Sequence, residues 1–154
     1  MLSNVKQPVF QAVTSDRADQ LLALMEELYH HEGIPWSTEV ARLAVQGLLD
    51  QSGNGGAWLI EIEKEVVGYC VLTMAFSLEF GGRFALLDEL YLREAWTGKG
   101  IGSEALRFIE QQSRAMGAKA LRLEAGYENK HAIRFYERKG FRREERYLMT
   151  NRLD

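Results

Sequence analysis

The chain has 154 residues, 46% of them hydrophobic, with a formal net charge of −3. That length suits one domain with a proper core, and the acidic balance argues against nucleic acid as the main partner. A single cysteine, Cys70, rules out an internal disulfide, and no run approaches the roughly 18 consecutive apolar residues of a membrane span, nor does MLSNVKQPVFQ carry a secretory h-region, so a reduced, cytoplasmic protein is expected.

In chain order, residues 8–14 alternate enough for a first strand. Ser15 or Asp16 then caps a helix bearing Leu21, Leu24, Met25 and Leu28 on one face. After the break at Gly33-Ile34-Pro35, Ser37 starts a second helix with Val40, Leu43, Ala44 and Leu48 as its apolar stripe. The run QSGNGG is a loop. Residues 57–62 and 66–78 read as strands joined across Glu63-Lys64-Glu65, and Gly81-Gly82 turns the chain into a strand over 84–92. A helix follows over about residues 100–116, with Ile101, Ala105, Phe108, Ile109 and Gln112 on one face, and Gly117 ends it. Residues 120–125 make a short strand before another helix, and residues 146–152 read as a final strand. There is no linker, repeat or low-complexity tract, so residues 1–154 are read as a single domain.

The most informative stretch is residues 86–103, LLDELYLREAWTGKGIGS, an apolar strand with two acids that runs into a glycine-rich turn and then a helix. Gly98, Gly100 and Gly102 let an anion approach the backbone closely, and the unpaired N–H groups of a helix start favour it there. The spacing is neither the GxxxxGK[ST] of a nucleotide P-loop nor GxGxxG, since Ser103 stands where the third glycine would be. A second segment, residues 128–141, ENKHAIRFYERKGF, has Asn129 suited to an N-cap, Ala132, Phe135 and Tyr136 on one helical face, and Gly140 just past the helix end.

Together these two segments resemble the acetyl-coenzyme A loop and the late signature of the GNAT N-acetyltransferase superfamily, and the likeness extends over residues 8–150. The resemblance implies an α+β fold with a mixed, mostly antiparallel twisted sheet of about six to seven strands and about four helices. The sheet would splay between the strands at 86–92 and 120–125, and acetyl-CoA would lie in the splay. Carried over, main-chain groups of the Leu90, Tyr91 and Leu92 strand, above all Leu90 and Leu92, would pair with the pantetheine arm. Thr97, Gly98, Lys99, Gly100, Ile101, Gly102 and Ser103 would hold the pyrophosphate, and Asn129 would bind the pantetheine from the other side. Thr97 stands where the family usually has Arg or Gln, so the attraction of a guanidinium is missing.

The implied chemistry is direct attack of a primary amine, of a small molecule or a peptide, on the thioester in a ternary complex. A lysine-like ammonium has a pKa of about 10.4 and must first lose a proton. Glu89 is the favoured base and Asp88 the second candidate. Ideal alternation puts Asp88 with Leu90 and Leu92 but Glu89 with Leu87 and Tyr91, so a regular strand would aim only one of them at the acetyl group; a bulge, which the resemblance implies because it is usual in the family's corresponding strand, would break that rule. Tyr136 matches the family's general acid beside the sulfur, and the N–H of Leu90 or a neighbour would stabilise the oxyanion. Cys70, in an apolar run, is discounted as a covalent carrier.

Glu79, Asp88 and Glu89, with Glu26, Glu27 and Glu32 of the first helix, would attract a cationic amine, although surface helices also carry such acids for solubility. Residues 76–82, FSLEFGG, together with LLDELYL and GIGSEAL, are loosely similar to the diamine and polyamine acetyltransferase branch, which points the same way. His30-His31-Glu32 and His131 do not make a metal site, because adjacent helical side chains diverge and no i, i+4 partner completes one. Trp36, Trp58 and Trp96 read as core, rim or lid aromatics. The family's habit implies a homodimer. A non-catalytic acyl-CoA-binding regulatory module on the same scaffold is the alternative reading; it lacks a use for Tyr136 and the acid pair.

Overall fold

The computed structural model describes residues 6–154. They form two compact units, one running to Leu123 and the other over Glu124–Asp154.

The first unit begins with β1 (Val9–Ala12) and a 3-10 turn over Ser15–Arg17 that leads into α1 (Ala18–Glu32). The expected cap at Ser15 or Asp16 is displaced. Thr14 donates its hydroxyl to the Asp16 carboxylate, which tightens that turn, and α1 starts behind Arg17 without a side-chain cap. The helix ends on Gly33, at φ 67°. α2 (Thr38–Asp50) is capped by Ser37, whose hydroxyl accepts from the Val40 N–H at 3.3 Å.

The buried face of α2 is not the expected one. Ala41 and Val45 pack inward, while Val40 and Leu43 are 66% and 63% exposed and Ala44 also faces out. Apolar residues sit nearly all round this helix, so their period alone does not select a face; the fit of small Ala41 and Val45 against α1 and the sheet does.

β2 (Gly55–Ile62) and β3 (Glu65–Ser77) form a hairpin with a two-residue turn in which Glu63 and Lys64 both take positive φ. β4 (Gly82–Leu92) pairs antiparallel with β3, α3 (Ile101–Ala115) crosses over, and β5 (Leu121–Leu123) pairs parallel with β4. The sheet order is β1-β2-β3-β4-β5. One face packs under α1 and α2, with Leu21, Leu24 and Met25 against Leu59, Tyr69 and Val71. The other receives Ile101 and Ala105 of α3 on Ile60, Ile62 and Val67. Phe10 stacks on Phe108 at 4.3 Å, closing the sheet edge over the same helix.

In the second unit α4 (Lys130–Arg138) is capped by Asn129, whose side chain accepts from the Ala132 N–H at 3.2 Å, and Gly140 follows at φ 98°. The sheet has five strands among the described residues, fewer than the six to seven expected. The final strand expected over 146–152 is absent. Tyr147, Leu148 and Met149 are consecutive rather than alternating, so a strand there would present no single apolar face, and all three are exposed.

Candidate active site

The register of β4 on β3 slips at one place. Val71 lies opposite Glu89 but Leu72 lies opposite Leu87, so Asp88 is an extra residue, a bulge. In a regular strand Asp88 would point with Leu90 and Leu92 toward the α3 face. With the bulge, Asp88 and Glu89 both line one cleft of about 500 Å³ on the α1/α2 side. Its walls include Leu21, Met25 and Tyr29 of α1, Val45 of α2, and Val71 and Met74 of β3.

Glu89 is held on both oxygens. Tyr29 Oη donates to Oε2 at 2.6 Å and Tyr69 Oη to Oε1 at 2.8 Å. Burial raises the Glu89 carboxyl above its ordinary range; the two phenols oppose that rise and the neighbouring Asp88 charge adds to it. Asp88 has no hydrogen-bond or ion-pair partner among the described residues. It is exposed, yet partial desolvation by the protein around it raises its carboxyl as well. Tyr69 is fully buried, and burial together with the Glu89 charge pushes both phenols up, so they remain proton donors to the carboxylate. Trp36 meets the Tyr29 ring edge-on at 5.3 Å and braces it.

Sequence reasoning missed both tyrosines. Leu21, Met25 and Tyr29 follow at i, i+4 and i+8, a stripe whose polar tip could have been noticed. Tyr69 sits inside an apolar run, where its hydroxyl had to find a partner.

Beyond the bulge, the far edge of β4 is open toward β5. Pairing between the two strands covers only Ala85–Leu87 against Leu121–Leu123, and stops just before Asp88. The Arg93 N–H donates to Val67 O at 2.9 Å, so Tyr91 and Glu89, alternating with Arg93, turn their main-chain groups to β3. Leu90 and Leu92 turn theirs to the open edge. Tyr91 is therefore engaged in the sheet, and its side chain donates to Glu27 Oε2 at 3.1 Å. Arg93 clamps the same carboxylate from Nε and Nη2 at 3.1 and 2.9 Å, which lowers the Glu27 pKa. Glu27 is thus committed within the fold.

The glycine turn precedes α3. Gly98 and Gly100 have φ of 71° and 82°, and a Cβ on either would meet nothing within 4 Å, so there is open space beside each Cα. The first intrahelical donor is the Glu104 N–H, bonding to Gly100 O at 3.2 Å, which leaves the N–H groups of Ile101, Gly102 and Ser103 without a partner inside the helix. This arrangement fits a diphosphate. Thr97 spends its hydroxyl proton on Glu94 O at 2.8 Å, and the Lys99 ammonium lies 5.2 Å from the centre of the Trp96 ring.

In the second unit, Tyr136 packs edge-to-face with Phe135 and Phe141 at 5.2 and 5.7 Å, and burial raises its phenol. Cys70 is fully buried, its thiol pushed up to about 12, which leaves it unreactive. Among the described residues no group of three or more His, Cys, Asp or Glu stands in a metal-binding arrangement, and no helix is long and apolar enough to cross a membrane.

An aminoalkylphosphonate N-acetyltransferase of Salmonella typhimurium is 33% identical over 78 residues, 51% of this chain and 51% of that protein. The matches span 60% and 63% of the lengths of two further curated relatives, both named as uncharacterized N-acetyltransferases. A crystal structure of an integron cassette protein from the mobile metagenome of Cole Harbour Salt Marsh superposes with a TM-score of 0.83 at 32% identity, covering 94% of this chain and 90% of that one. An aminoglycoside N-acetyltransferase in complex with CoA has a TM-score of 0.81 over the whole of both chains at 9% identity, a likeness of fold. The acetyltransferase (GNAT) family model matches residues 20–141, across both units, and the chain belongs to that family.

Proposed function

We propose that this protein is an acetyl-CoA-dependent N-acetyltransferase in which a primary amine of a small molecule or peptide attacks the thioester directly, and that residues 1–154 act as one catalytic domain. The observation that carries the reading is the bulge at Asp88, which turns two carboxylates into one cleft just where the β4–β5 pairing ends. A protein that only bound the cosubstrate would have no use for a half-buried carboxylate held by two phenols there. Acetyl-CoA supplies the activated acetyl group. The main-chain groups of Leu90 and Leu92 at the open edge suit its amide-bearing arm, and the amides from Gly98 to Ser103 suit its diphosphate.

Asp88, free of other partners, docks the incoming ammonium. Glu89 takes a proton from it, directly or through one water, so that the nitrogen lone pair is available. The new C–N bond forms as the C–S bond breaks; the nitrogen then sheds its second proton to water, which leaves a neutral amide, and the departing thiolate takes a proton. The family motif gives that proton to Tyr136, and the raised phenol pKa keeps Tyr136 protonated until it is needed. Asn129, which caps α4, is the motif's second pantetheine contact. The amines named for the relatives, an aminoalkylphosphonate and an aminoglycoside, support an amine acceptor in general.

The test is release of free thiol from acetyl-CoA in the presence of a panel of primary amines. Thiol release is expected with at least one of them, and Glu89→Gln should lower kcat by about 10²-fold or more. Tight acetyl-CoA binding with no thiol released by any amine would instead make the chain a binding module.

A further inference from the structure

We infer that the cleft beneath α1 and α2 selects a primary monoamine carried on an apolar chain or ring, and disfavours acceptors that bring a second cation or an anion. The inference rests on the acetyltransferase reading for its chemistry, but on the cleft alone for its selectivity. At about 500 Å³ the cleft is large enough for a small organic molecule, not merely for an ammonium group. Its charge is concentrated at one place, where Asp88 and Glu89 lie side by side on β4. No lysine, arginine or histidine is among its lining residues.

Away from the two acids the wall is apolar. Leu21, Met25, Val45, Leu48, Val71 and Met74 supply it, and the remaining polar side chains, Asn54, Thr73 and Tyr29, are neutral. An ammonium docked on Asp88 therefore lays the rest of its molecule along methyl and thioether groups, which favours a hydrocarbon body and accommodates varied shapes through the two methionines. A second ammonium a few bonds away would lie against Met25 or Leu48 with no counter-charge, at a desolvation cost. A phosphonate or carboxylate would meet two like-charged carboxylates and no cation. Glu89, which already accepts from Tyr29 and Tyr69, offers a second cation less than Asp88 does.

The experiment measures kcat/KM for hexylamine and 2-phenylethylamine against spermidine, kanamycin and 2-aminoethylphosphonate. Calorimetric binding of hexylamine to the CoA-saturated protein is measured in parallel. The apolar monoamines should exceed each of the others by about tenfold or more. Ala44→Lys, at an exposed position of α2 that lines the cleft and tolerates a good helix former, should weaken hexylamine binding about fivefold or more while CoA affinity is retained. Preference for spermidine, kanamycin or the phosphonate, or hexylamine binding that is undetectable or indifferent to Ala44→Lys, would overturn the inference. Hexylamine binding that responds to Ala44→Lys without thiol release would uphold the cleft's selectivity and sink the acetyltransferase reading, so the two failures are told apart.

Discussion

Tyr69→Phe removes one hydroxyl from the centre of the site and tests whether Glu89 is held as a carboxylate. The ring is fully buried and its hydroxyl donates to Glu89 Oε1 at 2.8 Å, so phenylalanine leaves that oxygen only the water that the cleft admits. A hydrogen bond to a charged group contributes about 1.5–3 kcal/mol. Because Tyr29 still donates to the other oxygen at 2.6 Å, the lower part of that range applies, about 1.5–2 kcal/mol. For a chain of this size the expected fall in Tm is about 3–8 °C. The cost should also depend on pH. Burial gives Glu89 a raised pKa in the folded protein, so the folded state holds its proton longer than the unfolded state, and stability from this group is greatest below the ordinary glutamate range and falls as pH rises through the raised value. Without Tyr69 the carboxyl rises further, and the fall extends to higher pH. The gap between the two proteins is therefore widest where both carry ionised Glu89 and narrows on acidification. Urea unfolding at neutral pH and at a pH below the ordinary glutamate range measures it. A cost under about 0.5 kcal/mol at neutral pH, or an equal cost at both, would refute the reasoning.

Other substitutions probe the remaining parts. The acid limb of kcat/KM should fall at a pH above the ordinary carboxyl range, because burial raises both Asp88 and Glu89; a limb inside that range would argue against either as base. Gly100→Ala forces a side chain into φ 82° with open space around its Cβ, so it should cost only the backbone strain, about 1–2 kcal/mol by chemical denaturation, while CoA affinity drops through crowding at the amides. Tyr136→Phe should lower kcat by about 10²-fold with little change in CoA affinity, and unaltered turnover would remove it as proton donor. Asp88→Asn should raise KM for the amine more than it lowers kcat, whereas a kcat loss matching that of Glu89→Gln would make Asp88 the base.

What the sequence disclosed, and what it withheld, divides along a physical line. The glycine turn and the α4 cap were legible because each rests on local rules: positive φ selects Gly98, Gly100 and Gly140, and an orphan N–H at a helix start selects Asn129. Interactions between distant parts of the chain were not. The buried face of α2 escaped detection because seven of its residues, Val40, Ala41, Leu43, Ala44, Val45, Leu48 and Leu49, are apolar, and only the neighbour decides which stripe is covered.

The bulge at Asp88 is the clearest case of this limit. Nothing within LLDELYL says that two residues of β4 oppose one of β3; the register is fixed by both strands at once, with Val71 facing Glu89 and Leu72 facing Leu87. The acid pair could be named from the sequence, but whether both acids reach the same cleft depended on that single extra residue. The same holds for Tyr29 and Tyr69, which come from sixty and twenty residues away to grip one carboxylate. The base and its environment thus sit on different levels of the structure. A carboxylate on a strand is written locally, whereas the burial and the two phenols that set its basicity exist only once α1 has packed on the sheet. A change on α1 that loosens Tyr29 should therefore shift the pH dependence of catalysis without touching any residue of β4.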